Sequence, residues 1–111
     1  MSAKLHHLVV YVPLADADRV REALAKAGAG AIGAYDSCSF SMRGTGRFRP
    51  LQGATPAIGE VGSLEAVEEE RIEVVVTEEQ LRGVLRAVKE VHSYEEPAIH
   101  VLPMEDYRRF L

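Results

Sequence analysis

The beginning of the chain carries a strand pattern followed by a helix pattern. The run LHHLVVYV (residues 5–12) is rich in β-branched and aromatic residues and stops at a proline, which cannot donate to a sheet ladder. It predicts a buried first strand. Residues 17–27 then carry apolar side chains at helical spacing. Asp16 or Asp18 can cap this helix, and Gly28 suits a left-handed C-terminal turn.

The middle of the chain changes to an alternating pattern. Between residues 32 and 43, serines alternate with an apolar set made of Cys38, Phe40 and Met42. This period of two predicts a second strand, and we expect the Cys38 thiol to be buried and inert on its apolar face. Residues 44–62 are rich in glycine and contain two prolines. They predict a long hairpin loop, and a loop of that length in a compact domain usually has a function.

The last third of the chain predicts two strands and a helix. Residues 63–76 have an acidic first half and an unbroken apolar second half, which predicts a strand that projects beyond the core. Thr77 and Gln80 form a capping-box pattern ahead of an apolar stripe at helical spacing. This helix should end near His92, and residues 98–103 predict a short final strand.

The predicted order β-α-β-β-α-β indicates an α+β fold of the ferredoxin-like type. In this arrangement an antiparallel four-stranded sheet carries both helices on one face, and here a long loop joins the second and third strands. The 111 residues allow one domain spanning residues 1–111. Because two helices cannot cover both faces of the sheet, the other face should be polar or should pack against another subunit. We therefore expect a homo-oligomer.

Composition excludes several classes of partner. A formal net charge of -4 gives no general electrostatic reason to bind nucleic acid, so an anion site needs a local cluster of arginines. A single cysteine excludes an internal disulfide and suits a reducing compartment. The first residues lack the long apolar stretch of a signal peptide, and no segment predicts a membrane span. We expect a cytoplasmic protein.

The run GAGAIG (residues 28–33) matches the dinucleotide fingerprint G-x-G-x-x-G only in letters. In that motif the glycines follow a strand and open a helix whose N-terminus faces the pyrophosphate. Here they follow a predicted helix. Helix termination is the better interpretation.

Three arginines lie in or beside the glycine-rich loop, at positions 43, 47 and 49. Guanidinium groups among exposed backbone N–H groups match phosphate or carboxylate, so the loop is a candidate site for a small anionic metabolite. The alternative is that they pair, within the chain or across a subunit boundary, with acidic residues of the neighbouring strand. We favour the second interpretation, in which Arg43, Arg47 and Arg49 pair with Glu65, Glu68, Glu69 and Glu70.

The run HSYEEPAIH (residues 92–100) concentrates imidazole and carboxylate groups. His92, Glu95 and His100 are candidate ligands for zinc or copper. Their spacing matches no established ligand pattern, so a structural turn is favoured over a metal site. No catalytic residues are predicted, because the serines lack the strained G-x-S-x-G elbow and the cysteine is expected to be inert.

Taken together, GTGRFRP, PAIG and YEEPA resemble the PII/CutA-like domain of the Nif-three-like (YqfO-type) proteins over nearly the whole chain. The resemblance implies a ferredoxin-like core, here as a free-standing copy, that associates through its sheets, commonly as a trimer. It does not imply the family's dinuclear metal site, whose ligands lie in a surrounding domain. Ser93 and His100 depart from the family pattern, which has proline and tends to have aspartate there.

These observations predict a homo-oligomeric, PII/CutA-like module that binds a small ligand or regulates a partner, without catalytic activity. The alternatives are a divalent metal binder of CutA type and a docking module for a dinuclear-metal partner protein. The predicted ligand-binding residues come from two separate stretches, and we expect them to meet at a subunit junction together with His92 and Glu95. They are Tyr35, Arg43, Arg47, Arg49 and Tyr94.

Overall fold

A computed structural model describes residues 4–111, so the first three residues of the predicted domain lie outside the described part. The strands are β1 (Leu5–Pro13), β2 (Phe40–Phe48), β3 (Glu65–Thr77) and β4 (Ile99–Met104). The helices are α1 (Ala17–Lys26) and α2 (Glu78–Val91), with short 3-10 helices at Leu14–Asp16 and Tyr107–Phe110. The order of strands and helices is the predicted β-α-β-β-α-β arrangement.

The four strands form one antiparallel sheet in the order β2-β3-β1-β4. β1 pairs with β3 on one side and with β4 on the other, which explains its nearly continuous apolar sequence. Val9 and Val10 point to opposite faces of the sheet, and both are fully buried. The ferredoxin-like prediction is confirmed.

Both helices pack on the same face of the sheet and enclose the core. In the β1–β3 register, Leu8 lies opposite Val74 and Val10 lies opposite Ile72, so these side chains share the helix-facing side. Val20 and Leu24 of α1 meet them from above, as do apolar residues of α2. Each fully buried aliphatic side chain contributes roughly 1.5–3 kcal/mol relative to leaving it exposed.

The helix ends agree with the sequence pattern except at one cap. The Thr77 hydroxyl accepts a hydrogen bond from the Gln80 N–H at 3.4 Å, as the capping-box pattern predicts. Gly28 follows α1 with φ of 100°, as predicted. At the start of α1, however, the Asp16 carboxylate makes no cap hydrogen bond. It accepts instead from the side chains of Arg19 and Ser93, so Asp16 occupies the predicted N-cap position but does not make the capping hydrogen bond.

The second strand begins later than predicted. β2 starts at Phe40 rather than at position 32, and residues 31–39 form an irregular segment with one isolated bridge between Ile32 and Tyr35. Positive φ values at Gly33 and Ser37 break the extended backbone there, and the alternation of apolar residues could not reveal them. The long loop is correspondingly residues 49–64, which we call the distal loop.

Cys38 is not the buried strand residue that the pattern predicted. It lies before β2 and is only partly buried. Phe40 and Met42 do alternate along β2, but both side chains are exposed because they point to the face of the sheet that carries no helix. We call this side the uncovered face.

β2 and β3 extend beyond the rest of the sheet, as predicted. β1 pairs only with residues 69–77 of β3, while residues 65–68 pair with residues 45–48 of β2 alone. This two-stranded extension, the ribbon, accounts in part for a molecule 51 Å long and only 24 Å wide. Among the described residues, no helix is long and apolar enough to cross a membrane.

Two glycine-to-alanine substitutions should change stability in opposite directions. Gly83 lies within α2 with no atom near the position of an added Cβ, so Gly83→Ala should raise the free energy of unfolding by about 0.5–1 kcal/mol. Gly30 has φ of 80°, and an added Cβ would overlap the Cys38 carbonyl oxygen. Gly30→Ala should therefore lower stability by more than about 1 kcal/mol. Urea unfolding of both variants measures the two changes in free energy. Equal changes would contradict the open surroundings of Gly83 or the close contact of Gly30 with Cys38.

Candidate functional site

A cavity of about 540 Å³ lies between the ribbon, the first half of the distal loop and the turn after α2 (residues 92–98). Its volume falls in the range of small-molecule sites, roughly 300–1,000 Å³. The strand register places Phe48, Glu69 and Tyr11 on the uncovered face, so the cavity opens on that side of the sheet. The wall is mostly apolar, with aromatic rings and prolines beside a few charged groups.

His92 holds the turn against the sheet. Its buried imidazole accepts a hydrogen bond at Nδ1 from the Tyr94 N–H (3.1 Å), so the ring proton is assigned to Nε2. Nε2 then donates to the Tyr11 carbonyl oxygen at 2.7 Å. The distal loop is attached to the same turn, because the Thr55 N–H donates to Glu95 Oε1 at 3.0 Å. These contacts fix two walls of the cavity relative to β1.

Tyr94 joins the turn to the ribbon. Its hydroxyl donates to Glu69 Oε2 at 3.0 Å, and its ring packs edge-on against Phe48 with centroids 5.7 Å apart. Burial raises the pKa of the Tyr94 phenol, and the hydrogen bond and charge of Glu69 raise it further. The phenol therefore stays protonated as a donor to the carboxylate.

Glu69 also lines the cavity, and the sequence indicated it only as one of four expected partners of the arginines. Only 7% of the residue is exposed. Its Oε1 packs directly on Gly46, where a Cβ would overlap the carboxylate. The sequence offered only a weak signal, because Glu69 stands in a run of three glutamates, EEE. Only the register shows that this one points toward the cavity.

The three arginines separate in the structure. Arg47 and Arg49 line the cavity, whereas Arg43 does not. Within residues 4–111 none of them forms a salt bridge. Glu70, one of the expected partners, is bound at 2.6 Å by Arg21 of α1. The favoured interpretation, in which the arginines pair with the acidic strand, is therefore not realised within the chain.

The other predicted ligand residues also divide into two groups. Tyr94 and Glu95 line the cavity together with Arg47 and Arg49, so the predicted meeting of loop and turn occurs within a single chain. Tyr35 does not take part, because it lies in the irregular segment before β2 and is 76% exposed. Tyr11 and Glu69 also line the cavity, and neither was predicted as a ligand-binding residue.

The predicted metal ligands are not assembled into a metal centre. Both ring nitrogens of His92 are engaged by backbone groups, and Glu95 accepts from Thr55. His100 packs edge-on against Tyr11 with ring centroids 5.4 Å apart. In the part of the chain that the structure describes, no group of three or more His, Cys, Asp or Glu side chains could hold a metal ion.

Removing the Tyr94 hydroxyl tests the link between turn and ribbon. Tyr94→Phe should lower the free energy of unfolding by about 1.5–3 kcal/mol at neutral pH, because the buried Glu69 carboxylate loses its donor. Since the folded-state pKa of Tyr94 is raised, this stabilisation is complete below the unfolded pKa of about 10 and declines at higher pH. Urea unfolding should show the difference between the two proteins shrinking above about pH 10.

Tyr35→Phe is the matched control for this measurement. Its exposed ring should make the same substitution neutral within about 0.5 kcal/mol. Equal effects at positions 35 and 94, or a difference that does not depend on pH, would contradict the assigned role of Tyr94.

Comparison with known proteins finds relatives that match nearly the whole chain. No family model matches it. It is 51% identical over 100 residues to a protein of Halalkalibacterium halodurans described as "GTP cyclohydrolase 1 type 2 homolog", and 48% identical over 101 residues to the Bacillus subtilis protein of that description. The matches cover 90% and 91% of this chain. In both cases the chain spans only 27% of the relative's length.

Solved structures give the same result. A Bacillus cereus protein related to NIF3 superposes with a TM-score of 0.84 at 42% identity, covering 96% of this chain and 27% of that one. The divalent cation tolerance protein CutA1 of Thermus thermophilus superposes with a TM-score of 0.68 at 22% identity, covering 96% and 90%. The second likeness concerns the fold alone. The chain is therefore similar, over nearly its whole length, to a part of Nif-three-like (YqfO-type) proteins, and it has the PII/CutA-like fold.

Proposed function

We propose that this domain is a homo-oligomeric module that binds a small anionic molecule and so regulates the proteins that contain it or dock onto it. The observation that carries the proposal is the cavity that brings Arg47 and Arg49 to the turn after α2. A mostly apolar cavity with a few convergent polar groups is the usual form of a small-molecule site.

The two arginines provide the charge for an anion. Neither is held by a carboxylate within residues 4–111, so their guanidinium groups do not have to leave a salt bridge before they bind a ligand. A guanidinium presents its donors in a planar fork that matches carboxylate and phosphate oxygens. Because the net charge of the protein is negative, an anion is attracted by these two arginines and not by the protein as a whole.

The uncovered face supports the proposed self-association. Phe40, Met42 and Leu102 expose large apolar side chains there. The charges between them are already neutralised within the face, because Arg71 donates to Glu73 at 2.8 Å and to the Tyr11 hydroxyl at 3.1 Å. Burying this face against another subunit therefore leaves few unpaired charges. We propose a trimer, the assembly implied by the resemblance to PII and CutA proteins.

The activity of the longer relatives is not assigned to this domain. The chain spans about a quarter of their length, and its cavity holds no arrangement of nucleophile, base and orienting group. A role in binding or docking fits what the described residues can do.

A charge placed on the uncovered face should disrupt the oligomer. Leu102→Glu introduces a carboxylate at a position that is 47% exposed and faces the proposed interface. Sedimentation velocity at micromolar concentration should then show a shift from oligomer to monomer. Val101→Glu is the control, because Val101 is 39% exposed on the same strand and points to the helix side. A wild-type monomer, or equal effects of the two variants, would contradict self-association through this face.

Anion binding can be measured with an aromatic carboxylate. Backbone amide chemical shifts, followed by NMR during titration with 3-phenylpropanoate, should move at Gly46 and Thr55. Replacing Arg47 and Arg49 by alanine should weaken binding by about tenfold or more, since hydrogen bonds to charged groups are worth roughly 1.5–3 kcal/mol. Arg43→Ala should leave binding unchanged because Arg43 lies outside the cavity. Unchanged shifts at the cavity would contradict the proposed anion site.

A further inference from the structure

The position of Glu69 identifies a second part of the ligand. Its carboxylate has two oxygens, of which Oε2 accepts from the Tyr94 hydroxyl. Oε1 makes no hydrogen bond within residues 4–111, although it is close to the backbone of Gly46 at the cavity wall. A carboxylate can accept at both oxygens. Among the described residues Oε1 is not a buried atom without a partner, so its unused capacity is on the accessible side of the group, where Glu69 lines the cavity.

The charge of Glu69 is also uncompensated. No Lys, Arg or His nitrogen of the described chain lies within salt-bridge distance of it, although only 7% of the residue is exposed. A buried charge is costly unless it is paired and fully hydrogen-bonded. Glu70 and Glu73 of β3 each have an arginine partner, whereas Glu65 and Glu68 have none but are less buried. Within the described chain, Glu69 is therefore the buried carboxylate of β3 that lacks a cation.

The surroundings of Glu69 favour a cation with an apolar body. The rings of Tyr11, Phe48, Tyr94 and His100 line the cavity, and aromatic faces attract ammonium groups. Arg47 and Arg49 are also among the residues that line the cavity, and a guanidinium favours an anion. The strand register directs Arg47 to the face opposite Phe48, whereas Arg49 lies beyond the end of β2. One cavity therefore presents an acceptor for a cation and donors for an anion.

We propose that the ligand of this cavity is a small amphoteric molecule, whose amine binds Glu69 Oε1 and whose acid group binds Arg47 or Arg49. This inference rests on the proposed function and adds the amine and the specificity-determining carboxylate to it. Glu69 weakens the binding of ligands that carry only an acid group, because they leave the buried carboxylate without a cationic partner. The cavity, about 540 Å³, leaves room for a molecule of amino-acid size with an aromatic or branched apolar part.

Three matched probes separate the two charges. L-Phenylalanine carries both groups, 3-phenylpropanoate lacks the amine, and 2-phenylethylamine lacks the acid. In NMR titrations that follow the Gly46 and Thr55 amides, phenylalanine should bind about tenfold tighter than either of the others. Glu69→Gln should abolish its advantage over 3-phenylpropanoate, and the neutral amide can still accept from Tyr94.

Two further variants make the result specific to the Glu69 carboxylate. Glu68→Gln removes the neighbouring charge, which is exposed on the other side of β3, and should leave the preference for phenylalanine intact. Gly46→Ala keeps Glu69 but displaces its carboxylate, because the new methyl group occupies the space of Oε1. It should reduce the preference as Glu69→Gln does.

The outcomes distinguish this inference from the proposed function. Equal affinities for phenylalanine and 3-phenylpropanoate overturn the amine subsite and leave the anion site standing. Equal affinities for phenylalanine and 2-phenylethylamine overturn the anion site and leave the amine subsite standing. Absence of shifts with all three probes overturns both. If Glu69→Gln alters sedimentation but not ligand preference, the carboxylate serves a subunit contact and the inference fails.

Discussion

The hydrogen bond from Tyr94 to Glu69 connects parts of the chain that are otherwise joined only through the sheet. Tyr94 follows α2, whereas Glu69 lies where the ribbon leaves the sheet. Because the phenol stays protonated and the carboxylate is buried, the contact is a directional, charge-assisted bond. It sets the distance between the turn and the ribbon, and the cavity is the space that remains between them.

This contact depends on a close approach that a larger residue would prevent. In the β2–β3 register Gly44 lies opposite Glu69, and Gly46 is the next β2 residue on the same face. The carboxylate rests on Gly46, so a side chain there would push Glu69 away from Tyr94. His92 completes the arrangement from the other side by fixing the Tyr94 backbone to β1. A buried imidazole that looks like a metal ligand in the sequence thus serves as a clamp.

The sequence predicted the fold far better than the site. Periodicity, a capping box and glycine punctuation are local signals, and they placed β1, α1 and α2 nearly correctly. β2 was misplaced because positive φ at Gly33 and Ser37 interrupts an alternation that continues in the residue types. The importance of Glu69 could not be deduced, since three consecutive glutamates look alike until pairing assigns each to a face. Arg47 and Arg49 were recognised as candidates. Whether they form salt bridges depends on distances to carboxylates, which the sequence does not give.

The proposed subunit packing and the proposed ligand binding use different lengths of β3 on the uncovered face. Near Glu73 and Val75 the face is flanked by Phe40 and Leu102, whose exposed apolar surface suits subunit packing. From Glu69 toward the distal loop, β1 no longer runs beside β3, and the turn after α2 and the distal loop enclose space instead. Packing through the first region leaves the second at the edge of an interface. A ligand that binds both the ribbon and the turn would therefore change the packing of the proposed subunits. Such a change would couple ligand binding to assembly, which is a physical route to regulation.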